Sequence, residues 1–145
     1  FFLIQPSWLP EKMIMSDPRK WMKSCLHKWS GEHKFGRAEE AYLKSFKQKK
    51  RIHASCEDYR ASDTIDLEHD KKDKNKKLNI PIQVLWGKSG VIGKQFNSIK
   101  IWQKYSNKKI IGKAIESGHF IPEQNPKQII YQLKKFFLKC KKSTL

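Results

Sequence analysis

The sequence predicts an α/β protein in which a helical first half precedes the strands of a parallel sheet. Residues 1–77 are rich in charged side chains and show none of the alternation that is typical of strands. Residues 78–145 follow the order strand, helix, strand, helix, and such a βαβα unit packs as a parallel sheet covered by helices. Because two strands do not make a stable open sheet, we expect edge strands of a larger sheet whose other strands lie upstream of Phe1.

Three helices are predicted in the first half. The Asp-Pro pair at 17–18 starts a helix, since Asp is a good N-cap and Pro suits the first helical position. Apolar residues then recur at helical spacing until Gly31, which ends the helix. A second helix is predicted over residues 38–49. A third begins near Ser55 and gives way to a charged, solvated linker over residues 70–77.

The pattern of apolar residues changes in the second half of the chain. A β-branched run over residues 80–86 ends at Gly87 and is typical of a buried parallel strand. A helix over residues 98–105 and a short strand over residues 113–116 follow. Pro126 opens the last helix, whose apolar residues are predicted to form one stripe: Ile129, Ile130, Leu133, Phe136, Phe137 and Cys140.

The net charge of +17 raises the alternative of a basic protein that binds nucleic acid or an anionic membrane surface. Of the 31 basic residues, however, only four are Arg: Arg19, Arg37, Arg51 and Arg60. Nucleic-acid recognition draws on the planar fork of Arg, which pairs with phosphate and guanine. The composition therefore favours a lysine-coated, solvated surface, and neither a nucleic-acid partner nor a membrane partner is expected.

Cysteine usage indicates a reducing compartment. The three cysteines, Cys25, Cys56 and Cys140, are widely spaced and form no C-x-x-C pair, so we expect reduced thiols in a cytoplasmic protein. No apolar run approaches the ~20 residues that a membrane span needs.

His119 is the candidate catalytic residue. It follows a predicted strand and precedes the last helix, and ligands of open α/β sheets bind outside the carboxyl ends of the strands. The alternative is an ordinary loop histidine that is hydrogen-bonded to Glu123. The serine pattern G-x-S-x-G does not occur, no cysteine has flanking glycines, and no histidines have metal-ligand spacing. We therefore expect neither a metal nor a cofactor.

Residues 57–60, Glu-Asp-Tyr-Arg, are the other candidate site. Successive helical residues point ~100° apart, so one or two of these four must face inward. A structural ion pair between Asp58 and Arg60 and a ligand-facing Tyr59 remain alternatives, since a buried Tyr hydroxyl needs a partner.

Short segments along the chain carry a family resemblance: residues 2–6, 9–11, 53–61, 65–70, 84–90 and 117–123. In this order they resemble the haloacetate (fluoroacetate) dehalogenases of the α/β-hydrolase superfamily, over essentially the whole chain. The resemblance implies that residues 1–77 are a helical cap with its linker. Residues 78–145 would then be the C-terminal βαβα part of the α/β-hydrolase core.

The resemblance also implies a reaction and roles for three residues. In this family an Asp carboxylate displaces halide from a short halogenated carboxylic acid, and an activated water then cleaves the resulting ester. His119 matches the general base, Tyr59 a cap tyrosine that donates to the leaving halide, and Trp29 a cap tryptophan that lines the pocket. An epoxide hydrolase-like activity, with Tyr42 as a second acid, is the alternative.

The same resemblance predicts that the site is incomplete. The nucleophilic Asp and the acid partner of His119 would precede Phe1, and Gly90 stands where some hydrolases carry that acid. We therefore expect the chain to be inactive alone and to associate with an N-terminal half that is separately encoded.

Overall fold

The computed structural model describes residues 2–31 and 33–142, and the chain divides into two compact units. The helical unit comprises Phe1–Lys28 and Lys34–Asn75, and the sheet unit comprises Trp29–His33 and Lys76–Leu145. A five-residue segment of the sheet unit is thus interposed within the sequence of the helical unit.

Among its described residues, the helical unit contains a short 3₁₀ helix, Phe2–Ile4, and five α-helices. These are α1 (Leu9–Ser16), α2 (Pro18–Ser30, whose last two residues belong to the sheet unit), α3 (Arg37–Phe46), α4 (Lys49–Asp63) and α5 (Ile65–Asp73). Its core is formed by Ile14, Ile52 and Cys56, against which Phe2, Leu3, Trp21 and Phe46 pack. Burial of these side chains contributes about 1.5–3 kcal/mol for each large apolar residue.

An ion-pair network centred on Arg60 joins α4 to α1 in the helical unit. The Arg60 guanidinium donates bidentately to the Glu11 carboxylate, at 2.8 Å from Nη1 to Oε1 and 3.0 Å from Nη2 to Oε2. Its Nε and Nη2 also donate to the Gln5 carbonyl oxygen, at 2.9 and 2.7 Å. The pairing of Arg60 with Asp58, which the sequence left open as one alternative, is wrong, because Arg60 pairs with Glu11 and Glu57 instead.

The sheet unit contains two parallel strands, β1 (Gln83–Gly87) and β2 (Ile111–Ile115), in register from Gln83 opposite Ile111 to Gly87 opposite Ile115. The crossover between them carries α6 (Val91–Gln95) and α7 (Ser98–Gln103). After β2 come the four-residue α8 (Ile121–Gln124) and then α9 (Pro126–Lys142). The parallel β–α–β order is therefore confirmed, and α6 and α8 were not predicted.

Several predicted boundaries are wrong. The third helix starts at Lys49 rather than near Ser55, and it breaks at Thr64, where φ is −131° and ψ is −92°. The second helix ends at Phe46, three residues early. The linker predicted from residue 70 is helical as far as Asp73, because α5 continues through it. Charge alone does not end a helix when Lys and Asp can both point into solvent.

Helix α9 buries a narrower stripe than predicted. Ile129 and Gln132 are buried and Phe136 and Cys140 are half-buried, at spacings of three and four residues along one face. The other apolar side chains assigned to the stripe are exposed: Ile130, Leu133 and Phe137. Across residues 2–31 and 33–142, no helix combines the length and the apolar character that crossing a membrane requires.

Candidate active site

The carboxyl ends of β1 and β2 are tied together by the loops that follow them. The Lys88 N–H donates to the Ile115 carbonyl at 2.9 Å. The Ser89 N–H and hydroxyl both donate to the Ser117 carbonyl, at 3.1 and 2.8 Å. These bonds fix the loop that leads into His119 at the edge of the sheet where α/β proteins bind ligands.

Two glycines allow the loops to approach this closely. A Cβ on Gly87 would lie 1.7 Å from the Gly118 carbonyl oxygen, so no other residue fits there without moving the backbone. Gly118 is confined as well, since its Cβ would lie 3.1 Å from Gln124 Oε1 and 3.2 Å from the Trp29 carbonyl oxygen. A side chain in the position before His119 would therefore require Gln124 or the Trp29 backbone to shift by a few tenths of an ångström.

His119 lies between two aromatic rings. Its imidazole is 5.2 Å from the Trp29 indole and 4.8 Å from the Phe120 ring, measured between centroids. The His119 N–H donates to the Trp29 carbonyl at 3.3 Å. The imidazole is exposed and the Trp29 indole is partly exposed, so both rings can meet a molecule from outside. The structure thus brings two of the three predicted site residues together.

A cleft of about 300 Å³ opens beside His119. It is lined by residues 84–87 of β1 together with side chains from the crossover and the His119 loop, among them Trp102 and Ile121. Successive strand residues point to opposite faces. A cleft that four of them line in a row therefore runs along the edge of β1 that faces away from β2. The lining is mainly apolar, with Ser98 and His119 as polar members.

No described carboxylate hydrogen-bonds the His119 imidazole, so the pairing with Glu123 that the sequence left open is not found within residues 2–31 and 33–142. A Cβ on Gly90 would lie 3.3 Å from the Gly118 backbone, so a side chain there requires a shift of a few tenths of an ångström. That the acid partner of His119 is supplied from outside this chain stays a prediction.

Tyr59 lies on α4 of the helical unit, and its side chain is 44% exposed. The phenol is therefore not the inward-facing residue of the 57–60 segment, and Arg60 takes that position. Its role toward a ligand stays a prediction.

The buried carboxylate of Glu11 is the feature that sequence reasoning missed. Glu11, His53 and Glu57 offer ligand atoms within 4.8 Å of one another, which is a spacing that a metal could use. The Arg60 guanidinium already bonds both carboxylates, so this cluster holds a cation of its own. Hydrogen bonding from Arg60, against the opposing effect of burial, lowers the pKa of Glu11 to about 2.

A comparison with curated proteins identifies a relative of this chain. The chain is 32% identical over 140 residues to a fluoroacetate dehalogenase from a Burkholderia species, covering 94% of this chain and 45% of that protein. No family model matches. The chain therefore spans about half the length of the curated relative it matches.

Several solved structures superpose on nearly the whole of this chain. A proposed acyltransferase from Salmonella enterica superposes with a TM-score of 0.92 at 34% identity, over 97% of this chain and 47% of that one. A proposed α/β-hydrolase from a Nostoc species gives 0.91 at 39%, over 97% and 48%. A proposed epoxide hydrolase from Pseudomonas aeruginosa gives 0.89 at 29%, over 98% and 48%.

The sheet unit presents His119 at the carboxyl ends of two parallel strands, and the chain matches about half the length of each relative named above. The chain has the C-terminal half of the α/β-hydrolase fold, and a fluoroacetate dehalogenase is among its relatives.

Proposed function

We propose that this chain supplies the general base and the cap of a hydrolase that cleaves the C–halogen bond of a short halogenated carboxylic acid. The observation that carries the proposal is His119 at the carboxyl edge of the sheet, held by backbone bonds beside an apolar cleft. The 32% identity to a fluoroacetate dehalogenase supports the substrate class.

The chemistry divides between two halves. An Asp carboxylate from the N-terminal half attacks the halogen-bearing carbon, forming a C–O bond while halide leaves with the C–halogen electron pair. His119 then takes a proton from water, and the resulting hydroxide attacks the ester carbonyl and releases the hydroxy acid with the free Asp carboxylate. A neutral imidazole is required for the second step, and its exposed ring is accessible to water.

Trp29 and Tyr59 take the roles of groups that surround the substrate. The Trp29 indole is in ring contact with His119, so in the complete hydrolase it would line the substrate pocket and donate its N–H. The Tyr59 hydroxyl donates to the departing halide, where negative charge develops in the transition state. The three cysteines, none of which forms a disulfide within the described residues, are consistent with our proposal of a cytoplasmic location, which is a reducing compartment.

The partner of the chain is the N-terminal half of such a hydrolase. On either side of β1, the Ile82 carbonyl accepts the Ile111 N–H and the Lys88 N–H donates to the Ile115 carbonyl. The backbone groups of the even-numbered residues therefore point toward β2. Gln83 and Leu85 consequently turn their backbone groups to the opposite edge, where the cleft lies and where no described strand pairs. An unpaired strand edge beside apolar side chains is a surface that binds another strand.

The proposal is tested with a fusion of the N-terminal half of the Nostoc relative to this chain. Once the fusion is shown by circular dichroism to be folded, fluoride release from fluoroacetate is measured. We expect turnover by the fusion, none by this chain alone, and a loss of at least ~10³-fold on His119→Ala, the range seen when a member of a catalytic triad is removed.

The matched control is His69→Ala, which replaces an exposed histidine on α5. It should leave fluoride release unchanged. Turnover that survives His119→Ala would exclude the assigned base. Diol formation from an epoxide, with no halide release, would favour the epoxide hydrolase activity that the Pseudomonas aeruginosa relative suggests.

A further inference from the structure

The last turn of α2 presents carbonyl groups that need partners. The final C=O groups of any helix lack intrahelical donors. Here the Trp29 carbonyl accepts the His119 N–H at 3.3 Å. The Ser30 carbonyl accepts the Gln124 Nε2 amide at 2.8 Å and, at 3.4 Å, the His33 N–H. The His119 loop therefore completes the end of this helix, and Gln124 makes the shorter of its two bonds.

The same Gln124 side chain also holds the other side of the loop. Its Oε1 accepts the Phe120 N–H at 3.1 Å, while its backbone N–H donates to the Phe120 carbonyl at 2.9 Å. One amide thus joins residue 30 to residue 120, directly beside His119. Both ends of the amide are used, and each end needs the polarity it has.

Within the proposed hydrolase, we propose that Gln124 is a positioning residue for His119. Its amide clamps the loop to the α2 terminus and so keeps the imidazole in contact with the Trp29 indole. The requirement is for one donor and one acceptor on the same planar group. A carboxylate has the same shape as the amide but only accepts hydrogen bonds. One of its negatively charged oxygens would then face the Ser30 carbonyl oxygen, and the two would repel each other.

Gln124→Glu is the discriminating variant, because it changes the donor and leaves the volume unchanged. In this chain, labelled with ¹³C and ¹⁵N, the His119–Trp29 contact is read from ring nuclear Overhauser effects, assigned with Trp29→Phe. We expect these cross-peaks to be lost in Gln124→Glu at pH 8. They should return as pH falls through the carboxyl pKa, ordinarily about 4.3, because a protonated carboxyl can donate again.

Gln128→Glu is the matched control. Gln128 lies one turn along, and its Oε1 only accepts, from the Glu116 N–H at 3.0 Å and from Asn125, so a carboxylate can replace it. It should keep the wild-type cross-peaks at every pH. Cross-peaks that persist in Gln124→Glu at pH 8, or that fail to return at low pH in a folded protein, would overturn the proposal.

The readout needs no turnover, so it separates the clamp from the reaction. Retained fluoride release in the fusion after His119→Ala would reject the assigned base, and it would leave the Gln124 clamp as measured. In an active fusion, Gln124→Glu should lower kcat by ~10-fold or more with KM little changed, because a misplaced base affects the chemical step.

Discussion

Glu11 illustrates how one buried side chain can determine the chemistry of its surroundings. Its carboxylate is 8% exposed and yet stays ionised, because both of its oxygens accept from Arg60 and one contacts His53 Nδ1 at 3.0 Å. A bidentate guanidinium–carboxylate pair is among the stronger hydrogen-bonded pairs in proteins. The bond links α1 to α4 across 49 positions of sequence.

We expect Glu11→Gln to destabilise the helical unit by about 2–3 kcal/mol at pH 7. The pKa of Glu11 falls from 4.5 to about 2 on folding, so its stabilisation is complete above pH 4.5 and is lost as pH falls through 2. Urea unfolding at pH 7 and at pH 2 measures this. The difference between wild type and variant should shrink at the lower pH.

Glu57→Gln provides the comparison. Glu57 also bonds Arg60 but is 51% exposed, so its loss should cost less than about 1 kcal/mol. Equal destabilisation by the two variants would mean that Glu11 acts as a surface charge does.

At the scale of elements, the close approach of the two strand ends depends on glycine. We expect Gly87→Ala to destabilise the sheet unit by about 3 kcal/mol or more, because its Cβ would overlap the Gly118 carbonyl oxygen. Thermal unfolding, followed with the amide signals of β1 and β2, measures the effect.

Gly90→Ala is the control for this effect. Its Cβ would come no closer than 3.3 Å to the same backbone, so a shift of a few tenths of an ångström accommodates it. We expect a cost below about 1 kcal/mol. A similar loss in both variants would assign the effect to glycine flexibility instead of close packing.

The elements were predicted correctly where the hydrophobic periodicity agrees with the residues that start and end helices. The Asp-Pro start and Gly31 end of α2, the parallel strand pair and the Pro126 start of α9 are all confirmed. The beginning of α4 was missed because Lys49–Arg51 carries no apolar signal, and its position is set by burial of Ile52. At the site, His119 was predicted from its place after a strand, whereas Gln124 has no local signature, because its amide bonds both the nearby Phe120 N–H and the distant Ser30 carbonyl.

At the scale of the whole molecule, the outer edge of β1 predicts what accompanies this chain in its source cells. We expect affinity purification through this segment to yield either a polypeptide of about twice 17.2 kDa or a complex with a hydrolase N-terminal half. Intact mass spectrometry distinguishes the two. A lone 17.2 kDa species would contradict the proposed partner.

Where a complex forms, Trp102→Lys should weaken it, because the 45% exposed indole lines the cleft beside β1. Tyr131→Lys, at a 60% exposed position on α9 outside that cleft, should leave it intact. Equal loss in both would point to general instability and not to docking along the strand.

The interposed segment, Trp29–His33, restricts how this protein can be recombined. A gene fusion that exchanges residues 1–75 for those of a relative also exchanges the Trp29 and Ser30 carbonyl groups to which the His119 loop is bonded. A crossover at residue 76 would therefore separate these two residues from His119 and Gln124. A recombinant protein keeps both bonds when the segment and the His119 loop come from the same parent.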